Sequence, residues 1–157
     1  MAGQRVDALV GRLEKGIRKT LGVLGSLGGD QWQAAVYEEP YPWTARDLLA
    51  HFLSSEAALL ELAQNVAAGG PGVPEDYDYD GFNAQEQKRL AGHSPQALLA
   101  ELAAARKSTV EWVGTLADAD LDRMGGHPAL GQVSLETMLT AIYGHQLLHM
   151  RDLMRLA

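Results

Sequence analysis

The stretch SLETMLTAIYGHQLLHMRDLMRL, residues 134–156, decides the fold class predicted for this chain. Its stripe of core-type positions recurs at alternating steps of three and four residues, which places the side chains on one face of an α-helix. The stripe consists of Leu135, Met138, Ile142, His145, His149, Asp152 and Leu156. Such a stripe is the seam that a bundle helix turns toward its neighbours, and Ser134 before it has the side chain of a helix N-cap. The stretch therefore predicts a long helix packed in a helical bundle.

Three further long helices and one short helix are predicted upstream from their caps, stops and apolar periodicity. The long helices run from about Gly3 to Leu27, from the N-cap Thr44 to the stop at Gly69-Gly70-Pro71, and from Ser94-Pro95 to about Leu116. The short helix runs from about Phe82 to Leu90. The segment 69–80 is rich in glycine, proline and acidic residues and predicts a long crossover loop. No segment alternates apolar and polar residues, so no strand is predicted. The expected fold is all-α: a single domain over 1–157, a four-helix bundle with one long crossover loop and an extra short helix.

The loop between the first two long helices carries aromatic and proline residues. They are Trp32, Tyr37, Pro40, Tyr41, Pro42 and Trp43. A tryptophan next to a helix cap is more often part of the core than of a binding site, and this is the interpretation for Trp43.

Composition and charge exclude several classes of protein. The chain has 157 residues, 46% hydrophobic and 21% charged, which indicates a globular protein with a sizeable core. Its formal charge of −7 argues against non-specific nucleic-acid binding and against docking on an anionic membrane. No cysteine is present, so disulfides and thiolate metal sites are excluded. The sequence shows no signal-peptide core and no membrane span, and a cytoplasmic location is expected.

The histidines indicate a metal site. His145 and His149 are one helical turn apart on the seam of the last helix, so both imidazoles can reach one metal ion. A third ligand must come from a facing helix, and His51, on the border of the second helix's apolar face, is the candidate. By itself His51 would be interpreted as a hydrogen-bonded core histidine. His93 and His127 lie in helix-breaking segments and are not expected to touch the metal.

Three segments resemble the motifs of the DinB/YfiT-like superfamily. Residues 43–51, WTARDLLAH, resemble its first motif; residues 144–149, GHQLLH, resemble its second; residues 80–83, DGFN, followed by Arg89, resemble its Asn-containing short helix. The resemblance covers nearly the whole chain. It implies a four-helix bundle that is often a homodimer, with a divalent metal held by three histidines and open positions for water or ligand. It further implies one of several activities: thiol transfer or isomerisation with mycothiol or bacillithiol, or metal-dependent hydrolysis.

The donor set limits the chemistry that is predicted. Three imidazoles suit zinc, the first choice, with nickel, cobalt, iron or manganese as alternatives. Three ligands and an open position are typical of a catalytic site, which activates water or a thiolate. Gln146 stands where zincin peptidases carry their glutamate base, so a peptidase is disfavoured. The resemblance to the DinB/YfiT-like superfamily implies, as the first choice, a thiol S-transferase acting on a small molecule, with a low-molecular-weight thiol as cosubstrate. A hydrolase and a non-catalytic, dimeric metal- or ligand-binding bundle remain alternatives.

Four other residues are candidates for supporting roles. Asn83 and Arg89 are placed to bind a polar or anionic group of the substrate at the pocket mouth. Asp47 and Asp152 are placed to orient an imidazole ring through its second nitrogen. The alternatives without a functional role are a surface arginine for Arg89 and a capping or solvated acid for each aspartate.

Overall fold

The computed structural model describes residues 3–39 and 42–156, so Pro40 and Tyr41 of the predicted loop lie outside the described residues. Within these ranges the chain forms six α-helices, two β-strands and two short 3₁₀ turns. The helices are α1 (Gln4–Gly25), α2 (Gly29–Trp32), α3 (Ala45–Ala67), α4 (Tyr79–Arg89), α5 (Pro95–Val113) and α6 (Leu135–Leu153). The strands are β1 (Met124–His127) and β2 (Gly131–Ser134), and the 3₁₀ turns are Asp118–Asp122 and Met154–Leu156.

The four long helices α1, α3, α5 and α6 form the predicted four-helix bundle, which confirms the fold class. Both α1 and α3 pack against α5 and against α6, so α1 lies diagonally across the bundle from α3, and α5 lies diagonally across from α6. The four long helices begin where expected, whereas α4 begins at Tyr79, three residues before the predicted Phe82. Thr44 Oγ1 accepts a hydrogen bond from the Asp47 amide at 3.2 Å, and Asp47 Oδ2 accepts from the Thr44 amide at 3.0 Å. None of the described helices is long and apolar enough to cross a membrane.

The prediction that the chain has no strand is wrong. β1 and β2 pair as an antiparallel hairpin in which Gly125 faces Val133 and His127 faces Gly131. The hairpin also joins the crossover loop, because the Val73 amide donates to the Gly126 carbonyl at 3.0 Å. Backbone pairing holds these short, glycine-rich segments together, and such pairing leaves no alternation of side chains in the sequence.

The crossover depends on one glycine. Gly72 has φ +77°, a left-handed conformation that side chains other than glycine's rarely adopt. A Cβ at this position would also overlap the backbone of Gly126. The glycine therefore lets the crossover loop approach the hairpin closely, which brings the segment before α4 beside the hairpin.

The core has two apolar clusters separated by a buried polar layer. One cluster includes Leu24, Phe52, Leu98 and Met150, and the other includes Leu13, Val66, Val113 and Ile142. Along α3, α5 and α6 the residues of the polar layer fall between these two sets, and α1 joins the layer through the Leu13 carbonyl. All four bundle helices therefore meet at two apolar levels and one polar level.

The polar layer is built around an ion pair between Glu56 on α3 and Arg106 on α5. Arg106 Nε and Nη2 donate to the two Glu56 carboxylate oxygens at 2.6 and 2.8 Å, and both side chains are almost completely buried. Thr109 Oγ1 and Gln146 Nε2 donate to the same carboxylate at 2.9 and 3.1 Å, while Arg106 Nη1 donates to the Leu13 carbonyl at 2.8 Å. The layer thereby links α1, α3, α5 and α6.

Candidate metal centre

The first histidine of the candidate site is placed by the start of α3. His51 lies in the second turn after the Thr44 cap, and its side chain is buried. The ring of Trp43, just before the cap, lies 4.8 Å from the His51 ring between centroids. Trp43 therefore forms a wall of the site as well as part of the core around it.

The other two histidines lie on α6, beside its buried seam and not in it. The seam runs through Leu139, Ile142, Gln146, Met150 and Leu153. His145 and His149 are half-buried at its edge, facing a cavity. The predicted stripe and the observed seam agree up to Ile142 and then diverge. The prediction continues with a three-residue step to His145, whereas the buried seam continues with four-residue steps to Gln146 and Met150. A four-residue step drifts less around the helix than a three-residue step, so the seam passes beside the histidines. This drift leaves the two imidazoles accessible to a ligand.

The three imidazoles converge at one point. His145 Nε2 lies 3.0 Å from His51 Nε2 and 3.1 Å from His149 Nε2. The three candidate ligand atoms all lie within 4.8 Å of one another. Across residues 3–39 and 42–156, this is the cluster of histidine and acidic side chains with the geometry to hold a metal ion. The cluster joins the two helices that carry the predicted ligands.

A tyrosine and an aspartate orient His149. The Tyr37 hydroxyl donates to Asp152 Oδ2 at 2.5 Å, and its oxygen lies 2.8 Å from Nδ1 of His149. Since the hydroxyl proton goes to the carboxylate, the tyrosine oxygen accepts from His149 Nδ1–H, and the Nε2 lone pair of His149 is left to face the cluster. Asp152 thus acts on the imidazole through Tyr37. Sequence reasoning missed Tyr37, whose position in a loop gave no spacing signal; Asp152, three residues after His149, was the only hint.

The second nitrogen of His51 has a weaker partner. Ser55 Oγ, one turn further along α3, lies 3.4 Å from His51 Nδ1. If Nδ1 carries the proton, the serine oxygen accepts it, and the His51 Nε2 lone pair also points to the cluster. The two partnered rings thus favour lone pairs that face one another, an arrangement that a cation stabilises.

Burial keeps the imidazoles neutral. It lowers the pKa of His51 to about 3, with further lowering by the neighbouring His145 and His149. Burial likewise lowers the pKa of His145 to about 4, and the pKa of His149 falls for the same reason although the Asp152 charge opposes it. The pKa of Tyr37 rises because of burial and its hydrogen bond to Asp152. Neutral imidazole is the form that binds metal, so these shifts suit a metal site at neutral pH.

The cluster opens on a cavity of about 980 Å³. Its wall is contributed by α3, the crossover loop, α4, the hairpin and α6. Apolar and aromatic side chains predominate in it: Trp43, Ala58, Leu59, Tyr77, Tyr79, Phe82, Leu130, Ala141 and Leu148. Asp80 is the sole carboxylate among the lining residues, and it is exposed to solvent. The cavity therefore suits a ligand with a substantial apolar body.

The structure brings some of the predicted supporting residues to the cavity and not others. Asn83 lines the cavity, whereas Arg89 does not: its guanidinium is more than half exposed and pairs with Glu86 at 2.6 Å. The Asp47 carboxylate caps its own helix and lies 3.5 Å from Arg46, so it is occupied away from the histidines. Asp47 lies four residues before His51, about one helical turn away, so spacing along the helix does not separate them. Its hydrogen bond to the Thr44 amide and its approach to Arg46 are what hold the carboxylate away from the ring.

Gln146 and the two remaining histidines have different places. Gln146 points into the core, where it donates to Glu56, and so it faces away from the cluster. His93 lies outside the cavity lining, near Glu101. His127 is outside the group of three possible ligands, as expected, but it lies in the wall of the same cavity. Its position at the end of β1 could not be foreseen without the hairpin.

Comparison with known proteins agrees with this architecture. A profile of the DinB superfamily matches residues 12–153. A search of the curated proteins finds no significant match. YfiT from Bacillus subtilis, described as a probable metal-dependent hydrolase with an unusual four-helix bundle topology, matches with a TM-score of 0.79 and 18% identity over 99% of this chain and 87% of its own.

Two other solved structures have the same fold. A mycothiol-dependent maleylpyruvate isomerase matches with a TM-score of 0.74 and 15% identity over 94% of this chain and 60% of its own. An uncharacterised protein from Escherichia coli UTI89 matches with a TM-score of 0.70 and 18% identity over 96% of this chain and 92% of its own. At these identities the similarity shows a shared fold.

Proposed function

The chain belongs to the DinB superfamily, and from this premise we propose that it is a divalent-metal-dependent enzyme that transfers a low-molecular-weight thiol to a small, largely apolar substrate. The observation that carries the proposal is the cluster of His51, His145 and His149 at the floor of an apolar cavity. The proposal has three parts: a metal ion, a thiol and an apolar electrophile. Each part is supported by a different feature of the site.

The donor set fits a metal ion such as zinc. Zinc–imidazole bonds of about 2.0–2.1 Å in a tetrahedral site place neighbouring nitrogens ~3.3 Å apart. Two of the three Nε2 separations, 3.0 and 3.1 Å, are close to this edge length, and all three candidate ligand atoms lie within 4.8 Å of one another. His51, His145 and His149 would hold the ion, and Tyr37 with Asp152 would fix the ring of His149. Zinc, nickel, cobalt, iron and manganese all accept imidazole to different degrees, and zinc is our first choice.

The surroundings of the cluster favour a thiol over a water-derived nucleophile. A bound divalent ion supplies Lewis acidity that ionises a thiol near neutral pH. Among the lining residues the one carboxylate, Asp80, is exposed to solvent, and Gln146 is turned into the core. The described part of the site therefore offers no buried carboxylate base for hydrolysis, whereas an ionised thiol needs none. A fold neighbour that depends on mycothiol supports the same choice.

The transfer itself requires one bond to form and one to break. The sulfur electron pair of the ionised thiol forms a bond to an electrophilic carbon of the substrate, and the leaving group departs with the electron pair of the broken bond. The thiol proton is released to solvent. The apolar wall, including Leu59, Phe82 and Leu148, binds the substrate body and keeps bulk water from the nucleophile.

A metal-dependent hydrolase is the second candidate. The observation in its favour is the similarity to YfiT, which covers almost the whole chain. In that case the same three histidines would hold the ion and the nucleophile would be water. The two activities differ in whether a thiol enters the site.

The test is to follow thiol binding and turnover in one set of samples. Cobalt-substituted protein should change its visible spectrum when mycothiol or bacillithiol is added, because sulfur replaces water as a ligand. Zinc-loaded protein should then conjugate the thiol to a chlorobimane. Both signals should disappear in His149→Ala and persist in His93→Gln, a histidine outside the cavity. A spectrum that responds to azide but not to thiols would favour the hydrolase, and one that ignores thiols, azide and pH would indicate a closed, non-catalytic site.

A further inference from the structure

His127 has a ring with one nitrogen fixed by the backbone and the other without a partner. Nδ1 accepts hydrogen bonds from the amides of Ala129 and Leu130 at 3.1 and 3.2 Å. Because both of these partners are donors, Nδ1 must carry a lone pair, and in the neutral ring the proton is on Nε2. The turn between β1 and β2 thus selects the Nε2–H tautomer.

The Nε2–H group is buried and unsatisfied. It is shielded from solvent, and no atom of residues 3–39 or 42–156 accepts a hydrogen bond from it. Leaving a buried donor without a hydrogen bond destabilises a folded protein, and exceptions call for a specific explanation. Burial lowers the pKa of His127, which keeps the ring neutral and the Nε2–H in place.

The same ring lies in the wall of the cavity above the three-histidine cluster. His127 lines the cavity together with His51, His145 and His149, although it does not belong to their group of possible ligands. Its neighbours Pro128, Ala129 and Leu130 line the same wall. No described residue supplies an acceptor for this N–H, so the acceptor comes from outside the described chain, and the cavity is where a ligand can bring one.

We propose that His127 is a substrate-binding residue whose Nε2–H donates a hydrogen bond to an oxygen atom of the substrate, so that the cavity selects molecules with an apolar body and a carbonyl-type oxygen. The proposal rests on the proposed function in that it assigns the substrate class of the same cavity. It requires the side chains that cover Nε2 to move when the ligand enters. A carbonyl next to the reacting carbon would also withdraw electrons from that carbon, which makes it electrophilic enough for a thiol to attack.

The first test is the tautomer, which needs neither a substrate nor a variant. A long-range nitrogen–proton NMR spectrum of histidine-labelled protein should show His127 as neutral Nε2–H with an unprotonated Nδ1 at pH 7. An Nδ1–H tautomer would overturn the proposal, because Nε2 would then be an acceptor.

The second test measures selection for oxygen with two probes of matched shape, 2-acetylnaphthalene and 2-ethylnaphthalene. Their dissociation constants are measured by fluorescence with zinc-loaded and with chelated protein, and the zinc content of each sample is determined. Wild type should bind the ketone roughly three- to tenfold more tightly than the hydrocarbon, the range expected for one net hydrogen bond. This preference should persist in chelated protein, which separates it from any contact with metal.

The matched variant is His127→Asn. The asparagine side-chain oxygen can still accept from the turn amides of Ala129 and Leu130, but the Nε2–H is gone. The ketone preference should fall to about one while zinc content stays unchanged; His127→Phe, which keeps the ring shape, should behave alike. A preference that survives in both variants, or weak and equal binding of the two probes to wild type, would overturn the proposal. Loss of zinc binding in wild type with the ketone preference intact would instead count against the proposed function alone.

Discussion

The hydroxyl oxygen of Tyr37 lies 2.8 Å from Nδ1 of His149, which ties a loop residue to an imidazole on the last helix. The same hydroxyl donates to Asp152 at 2.5 Å. The carboxylate, the phenol and the imidazole therefore form a chain that fixes the ring and increases the electron density on its free nitrogen. In metal sites such partners contribute to affinity although they never touch the ion.

The first prediction is that Tyr37→Phe weakens zinc binding about 10- to 100-fold, the usual effect of removing such a partner. The phenyl ring keeps the packing but leaves His149 Nδ1 without its acceptor. Affinity is measured by competition with a chelating dye at pH 7. Tyr79→Phe, at the exposed edge of the cavity, is the control and should retain wild-type affinity. Equal affinities for the two variants would show that the Tyr37 contact has no role in binding.

The second prediction concerns the ligands. His51→Ala, His145→Ala and His149→Ala should each lose stoichiometric zinc while retaining their helical circular dichroism, because three ligands are the minimum for this site. His93→Gln should keep its zinc. Elemental analysis after gel filtration provides the measurement. Full occupancy in any of the three alanine variants would remove that histidine from the site.

Thermal stability has to be compared at a defined metal concentration. Zinc at 100 times its dissociation constant stabilises a folded protein by about 2.7 kcal/mol through binding alone. The alanine variants should therefore lose the increase in Tm that zinc gives the wild type. In the presence of chelator the differences from wild type should be smaller.

The third prediction is a loss of stability of the metal-free protein in mild acid. Burial lowers the pKa of His51 to about 3 and that of His145 to about 4, whereas an unfolded histidine has a pKa of ~6.5. Below pH 6.5 the unfolded chain therefore takes up protons that the folded chain excludes, and stability falls as pH falls. Each histidine contributes roughly 1 kcal/mol per pH unit between the two values.

Urea titrations of chelator-treated protein at pH 7, 6 and 5 measure this effect. The free energy of unfolding should decrease over the series, and the decrease should be smaller for His51→Leu, which has no group to titrate at that position. His93→Gln should follow the wild type. A free energy that is equal at pH 7 and pH 5 would contradict the effect of burial on these rings.

The fourth prediction concerns the ion pair at the centre of the bundle. Arg106→Met leaves the Glu56 carboxylate buried without its two strongest donors, which should cost about 3–5 kcal/mol of the free energy of unfolding. The double variant Glu56→Leu with Arg106→Met should recover most of that loss, because it removes the unpaired charge. Denaturant titration at pH 7 tests both.

The exposed pair Lys107–Glu111 serves as the comparison. Its atoms are 3.9 Å apart and both side chains are largely in solvent, so Lys107→Met should leave the stability unchanged within error. A loss in Arg106→Met no larger than that in Lys107→Met would show that the buried layer contributes nothing to stability.

The four long helices and their caps could be predicted from the sequence because their signals are local. The one-turn helix α2 is not predicted, and α4 begins at Tyr79, inside the segment predicted as a crossover loop. Thr44 and Ser94 cap the helices expected of them, and their side chains accept from the amides of Asp47 and Ala97. The spacing of His145 and His149 likewise places two imidazoles one above the other on any helix. What the periodicity of α6 could not show is that Gln146, not His145, lies in the buried seam, because the seam depends on how α6 rotates against α3 and α1.

By itself the sequence determined the four-helix bundle and the three histidines as candidates, since apolar periodicity, caps and the i, i+4 spacing are properties of short segments. Only the tertiary structure decided what surrounds the candidates. It brought Tyr37 from a loop to His149, turned Arg89 toward solvent and closed the cavity wall with a hairpin that ends at His127. The physical reason is that these contacts depend on packing and backbone pairing between segments distant in the chain. Neither interaction leaves a period in the amino-acid sequence.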